Sequence, residues 1–171
     1  MAQHKLSSGI GSKALEKFHL APPSEVRVTV RSEQWNGQDK PEVITMTTFG
    51  ILRYDLQLHC WEVSYDESEA SGMEGTRTYL QLFDDQRVRL LREGEVEADM
   101  VFIKGDRFVS TMQSAFGPLA ISVITNIAEG HFTPAGGFIR LSYSVSFGQH
   151  ENISTKVEMQ AQRVKQAPRY S

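Results

Sequence analysis

Hydrophobic and polar residues alternate along most of this chain, and the alternation is clearest between residues 137 and 162. In the stretch GFIRLSYSVSF every second residue from Ile139 to Phe147 is apolar or aromatic, and arginine and serine occupy the positions between them. The stretch ISTKVEMQA repeats the alternation after a polar turn. Because successive side chains of a β-strand point to opposite faces, these stretches predict an antiparallel hairpin with one apolar face.

The same two-residue period predicts further strands upstream, from Glu25 onward. They are expected in the stretches EVRVTVRSEQW, EVITMTTFGILRY, CWEVSYDE, RTYLQLF, RVRLLRE, ADMVFIK, RFVSTMQS and PLAISVITNIA. In the last of these stretches one face is expected to carry Leu119, Ile121, Val123, Thr125 and Ile127. In the second stretch Gly50 predicts a bulge or a sharp bend.

The links between these stretches are short, and no stretch after residue 24 has a clear helical pattern. Consecutive antiparallel strands with one apolar face each must curl to bury that face, and closure also removes exposed sheet edges. The pattern therefore predicts an all-β fold, an antiparallel up-and-down β-barrel of about eight to ten strands. A two-sheet sandwich uses the same alternation and is the alternative.

The N-terminal part of the chain has a different character. Residues 1–24 are expected to be an extension, either a short helix or a flexible arm, with a helix starting at Ser12 and ending near Leu20. The barrel domain is then expected over residues 25–165, followed by a C-terminal tail at residues 166–171.

Size and charge narrow the class of protein. A chain of 171 residues fits one domain, and its net charge of −3 argues against nucleic-acid binding, which usually needs a basic face. The single cysteine, Cys60, cannot form an internal disulfide, and the sequence shows neither a signal peptide nor a membrane span. We therefore expect a soluble, cytoplasmic protein.

The sequence contains no recognisable catalytic or metal-binding motif. Cys60 follows His59, but neighbouring residues on a strand point to opposite faces and do not form a catalytic pair. The 5 histidines are scattered without the spacing of metal ligands. Arg87, Arg89 and Arg92 form the only basic cluster and are interpreted as a solvated outer face. No catalytic residue, metal or cofactor is predicted, and an enzyme is the least favoured class.

Several stretches resemble a known family. They are VRVTVRSEQWNG, ITMTTFGILRY, TRTYLQLFDDQRVRLLREGEVEADMVFIKGDR, SAFGPLAISVITN and GGFIRLSYSVSF, and the step Phe116-Gly117 before an alternating strand is the most specific element. From Val26 to Val164 the chain is similar to the small bacterial YwiB-like proteins, a domain of unknown function grouped with the calycin β-barrels. The resemblance implies a calycin-like, lipocalin-like barrel, and it implies no catalytic residues.

The interior of the barrel is the remaining candidate site. Hydroxyl and adaptable apolar side chains are expected in phase with the apolar face, and the candidate ligand-binding residues are Trp61, Tyr65, Tyr79, Thr125, Tyr143, Thr155 and Met159. In one interpretation they line a cavity that holds a small apolar or amphipathic ligand. In the other they belong to a packed interior, and the protein is a structural or interaction protein that binds a protein partner or forms a homodimer.

Overall fold

The computed structural model describes residues 22–37, 40–147 and 151–165. These residues form one antiparallel sheet of 10 strands. The strands are β1 (Ser24–Trp35), β2 (Glu42–Asp55), β3 (Cys60–Asp66), β4 (Thr76–Phe83), β5 (Val88–Gly94), β6 (Ala98–Phe102), β7 (Arg107–Ser114), β8 (Gly117–Thr133), β9 (Gly136–Phe147) and β10 (Glu151–Arg163). A short 3-10 helix, Glu69–Ser71, lies between β3 and β4. The helix predicted at residues 12–20 and the tail at 166–171 lie outside the described residues.

The sheet curls into a nearly closed up-and-down barrel. Strands adjacent in sequence pair with one another, and β1 also pairs with β10, so that β6 and β7 stand at the two ends of the sheet. One backbone pair joins these ends, with N–O distances of 3.2 and 3.0 Å between Glu97 and Gln113. In addition, the Ser110 hydroxyl donates a hydrogen bond to the Asp99 carbonyl at 2.8 Å. The predicted barrel is confirmed, and this seam is where the cylinder closes.

The inner wall of the barrel is the hydrophobic core, as the alternation predicts. In the closing hairpin of β9 and β10, Ile139 and Met159 are fully buried and are register partners. Arg140 points outward, and its guanidinium pairs with Glu129 at 3.6 Å. The apolar face of the hairpin therefore packs against the side chains that the other strands send into the barrel, among them Val28, Val63, Val88, Phe102 and Val123.

A β-bulge in β8 changes which residues face inward. The pairing of β8 with β9 shifts between Thr125 and Ile127, so that Asn126 is the extra residue. Beyond the bulge Ala128 is buried, whereas 44% of Ile127 is exposed. The prediction that Ile127 shares the inner face with Thr125 is therefore wrong, because one inserted residue inverts an alternating pattern.

Gly50 in β2 lies at a close approach of two strands. The register of β2 with β1 runs through this residue without a shift, and the pairing of β2 with β3 begins here, so of the two predicted alternatives the bulge is wrong. A Cβ atom at this position would lie 2.4 Å from the carbonyl oxygen of Ser64. Since that distance is far inside van der Waals contact, only glycine fits here without displacing β3.

Candidate binding site inside the barrel

Polar side chains from several strands gather in one part of the inner wall. Thr125 on β8 is the register partner of Tyr143 on β9, and Tyr143 is the partner of Thr155 on β10. Thr125, Thr155 and Tyr65 on β3 have exposed fractions of only 2%, 3% and 3%. The ring of Tyr143 packs on Phe102 with 4.6 Å between centroids. The structure thus brings Tyr65, Thr125, Tyr143 and Thr155 into one polar region of the interior, which we call the polar end.

An arginine that sequence reasoning placed outside belongs to this polar end. Val88, Leu90 and Arg92 share the inner face of β5, and the register partners of Arg92 are Thr78 and Ala98, both buried. The interpretation of Arg92 as part of a solvated outer face is therefore wrong. The alternation within RVRLLRE contains the signal that would have placed it inside, because Arg92 is in phase with Val88 and Leu90.

The guanidinium of Arg92 is incompletely satisfied by the protein. Its Nε atom is buried and has no hydrogen-bond partner. Arg92 also takes part in none of the ion pairs found among residues 22–37, 40–147 and 151–165. By contrast, Arg89 on the outer face of the same strand binds both carboxylate oxygens of Asp99, at 2.9 and 2.7 Å.

One carboxylate, that of Glu67, lies beside the polar end. Glu67 is 7% exposed, and its Oε1 accepts a hydrogen bond of 2.6 Å from the hydroxyl of Thr78, which is fully buried. Its backbone N–H donates to the carbonyl of Thr76 at 2.8 Å. These bonds hold Glu67 at the point where the chain leaves β3, so the polar end contains both a negative and a positive side chain.

The two inner phenols are held in their neutral form. Burial raises the pKa of Tyr65, the charge of Glu67 raises it further, and the charge of Arg92 opposes both effects. Burial also raises the pKa of Tyr143, against the lowering effects of Arg92 and of a hydrogen bond with Thr155. Tyr65 also forms a side-chain hydrogen bond with Glu67. Since a neutral phenol donates as well as accepts, Tyr143 is suited to hydrogen-bond a polar group that enters this region.

The other predicted inner residues lie away from the polar end. The half-buried Trp61 lies four residues before Tyr65 on β3, about 13 Å along the strand at the usual rise. Its ring lies 5.3 Å from that of Tyr54 and 6.2 Å from that of Phe132. Met159 is fully buried in the apolar wall, which also carries Met46 and Met100, each 6% exposed.

Tyr79 does not face the interior. It lies between Thr78 and Leu80 on β4, which are 0% and 2% exposed on the inner face. Its own side chain lies outside, where the guanidinium of Arg77 sits 5.7 Å from the ring centroid. The prediction that Tyr79 lines the interior is wrong, because the residues in phase with the inner face of β4 are threonine and leucine.

Other kinds of site are not formed by the described part of the chain. No three histidine, cysteine, aspartate or glutamate side chains among its residues come together as a metal site. Cys60 is fully buried. None of the described residues forms a helix that is long and apolar enough to cross a membrane.

These features define a small all-β domain built on a ten-stranded antiparallel barrel. Residues 28–159 match the family model described as a domain of unknown function (DUF1934), and the chain belongs to this family. The barrel is similar to the crystal structure of the YwiB protein from Bacillus subtilis, with a TM-score of 0.73 and 17% sequence identity over 84% of this chain and 94% of that chain. The resemblance to YwiB-like proteins is confirmed, and at this identity the match shows the fold alone. No curated protein matches the chain.

Proposed function

We propose that the barrel is a binding module that holds one small amphipathic molecule. The polar part of the ligand binds at the polar end, and its apolar part lies against the inner wall. The observation that carries this proposal is the inward-facing Arg92, whose buried Nε–H has no acceptor in the protein. An unpaired buried donor is costly and uncommon, and a bound ligand would supply the missing acceptor.

The composition of the inner wall supports an amphipathic ligand. Binding sites for small molecules are mostly apolar with a few polar groups that fix orientation. In this barrel the polar groups converge in one region, and aliphatic side chains and methionines cover the remainder. Ten strands also enclose a wider interior than the eight of the smallest ligand-binding barrels.

Methionine side chains make the inner wall adaptable. Met46, Met100 and Met159 are all buried in the interior, and Val30 is the register partner of both Met46 and Met159. Because methionine is unbranched and flexible, it can repack around a guest molecule at low cost. The interior can therefore be filled in the free protein and still accommodate a ligand.

Native mass spectrometry of the freshly purified protein tests the proposal. The expected result is an additional mass that is present at low activation energy and absent after denaturation. Leu90→Trp, beside Arg92 on the inner face of β5, is expected to lower the ligand-bound fraction. Leu91→Trp adds the same volume on the outer face and is the matched control. A ligand-free mass in freshly purified protein, or equal loss in both variants, would contradict binding inside the barrel.

Self-association is a second candidate function. Phe49 and Ile51 lie two residues apart on the outer face of β2 with exposed fractions of 62% and 37%. Their register partners on β1 are Arg27 and Glu25, so an apolar strip borders charges of both signs. Such a strip is compatible with a two-fold contact between copies of the chain. Sedimentation should show a dimer that Phe49→Asp dissociates, and a monomeric wild-type protein would exclude this candidate.

A further inference from the structure

We infer that Arg92 binds a monoanionic carboxylate head group of the ligand, an inference that rests on the proposed function. The ligand would then be a small organic acid with an apolar body. Arg92 would supply the charged hydrogen bonds, and Tyr143 would supply a neutral one.

The pairing of Arg89 shows the geometry that Arg92 lacks. On the outer face of β5, Arg89 uses Nε and Nη2 to bind the two oxygens of Asp99, the bidentate arrangement that arginine and carboxylate favour. Arg92 lies on the same strand but faces inward, and its Nε–H is buried without an acceptor. A carboxylate from outside the chain would complete the same two-bond arrangement inside the barrel.

Glu67 does not take this role. Its Oε1 is already hydrogen-bonded to Thr78 at 2.6 Å, and Glu67 forms none of the ion pairs among the described residues. The charge of Glu67 nevertheless limits how many negative charges the head group of the ligand can carry. One guanidinium beside one carboxylate leaves little excess positive charge, so a head group with two negative charges would be repelled more strongly than one with a single charge.

The neutral phenol of Tyr143 completes the recognition of a carboxylate. Tyr143 raises the pKa of Tyr65, and Arg92 lowers the pKa of both phenols, so the three polar groups share one region. The Tyr65 hydroxyl already forms a hydrogen bond with Glu67, whereas the neutral Tyr143 hydroxyl keeps a proton to donate. A carboxylate has lone pairs for several donors, so an arginine fork and a phenol can bind it together.

Binding of three compounds with the same ten-carbon chain, decanoate, decyl phosphate and decanol, tests the inference by isothermal titration calorimetry. A charge-assisted bond to a partly buried arginine should make decanoate bind about tenfold or more tightly than decanol. Decanoate should also bind more tightly than decyl phosphate. Arg92→Gln should abolish the preference for decanoate, and Arg89→Gln, which removes the same charge from the outer face, should retain it.

Each other result has a definite meaning. Equal binding of decanoate and decanol by the wild-type protein would overturn the anionic head group and leave an apolar-ligand function standing, with Arg92 hydrogen-bonded to water. Tighter binding of decyl phosphate would replace the carboxylate by a phosphate. Binding of none of the three would overturn both this inference and the proposed function for such molecules. If Arg92→Gln fails to fold, Arg92→Lys, which keeps the charge but loses the fork, should weaken the preference.

Discussion

The thiol of Cys60 is expected to be unreactive in the folded protein. Cys60 is fully buried, and burial raises its pKa to about 12, with further raising by the charges of Asp55 and Glu62. At about pH 8 an ordinary thiol is partly ionised, whereas Cys60 is almost entirely in the unreactive thiol form. Labelling with iodoacetamide should therefore proceed only as fast as the structure around Cys60 opens.

The unfolded chain provides the control for this prediction. Because Cys60 is the only cysteine, one label per chain in concentrated guanidinium chloride reports complete reaction. The native protein should acquire label far more slowly under the same reagent concentration. A native labelling rate close to that of the unfolded chain would show that Cys60 is accessible, and would contradict the packing of the β2–β3 corner.

At the scale of the strand, the bulge at Asn126 makes two neighbouring residues behave differently. Ile127 is 44% exposed and Ala128 is 6% exposed. A lysine at position 127 should therefore lower the free energy of unfolding by less than about 1 kcal/mol, the usual range for surface positions of a sheet. A lysine at position 128 places a charge in the core and should cost about 3–5 kcal/mol.

Urea denaturation of Ile127→Lys and Ala128→Lys measures both free energies, and each variant is the control for the other. An uninterrupted strand makes the opposite prediction, since Ile127 would then share the inner face with Thr125. A larger loss of stability in Ile127→Lys than in Ala128→Lys would therefore contradict the bulge and show that the side chains of β8 alternate without interruption.

At the scale of the whole molecule, alternation was enough to predict the barrel but not every residue inside it. Strands such as β9 and β10 carry an unbroken period of two, so their inner faces follow directly from the sequence. The bulge at Asn126 has no comparable local signal, because one unpaired residue is defined by the neighbouring strand. Arg92 is difficult to predict for a different reason: its phase with Val88 and Leu90 indicates the inner face, but arginine side chains usually face solvent.

The candidate site was predicted in part, and its missing residue is the charged one. Tyr65, Tyr143 and Thr155 were recognisable because hydroxyls in phase with apolar residues must find partners inside. That these side chains meet Arg92 and Glu67 depends on how far the strands tilt around the barrel. Tilt is a property of the closed sheet, and it cannot be predicted from the sequence of any single strand.

The buried phenols and the buried thiol should make the folded protein less stable at alkaline pH. The pKa values of Tyr65, Tyr143 and Cys60 are all raised in the folded protein, mainly by burial. In the unfolded chain these groups lose their protons near their ordinary pKa values of about 8.5 for a thiol and 10 for a phenol. Above about pH 9 the folded state therefore binds more protons than the unfolded state, and the free energy of unfolding falls as pH rises.

The contribution of Tyr65 to this pH dependence of stability can be measured separately. Between its pKa in the unfolded chain and its pKa in the folded protein, each such group lowers the free energy of unfolding by at most about 1.4 kcal/mol per pH unit. Tyr65→Phe should remove that contribution, so its stability should fall less steeply than that of the wild-type protein between about pH 9 and 11. Urea denaturation at a series of pH values measures the slope, and Tyr79→Phe is the matched control on the outer wall. Parallel pH profiles for the wild-type protein and Tyr65→Phe would show that the Tyr65 hydroxyl reaches solvent, and the polar end would then not be an interior site.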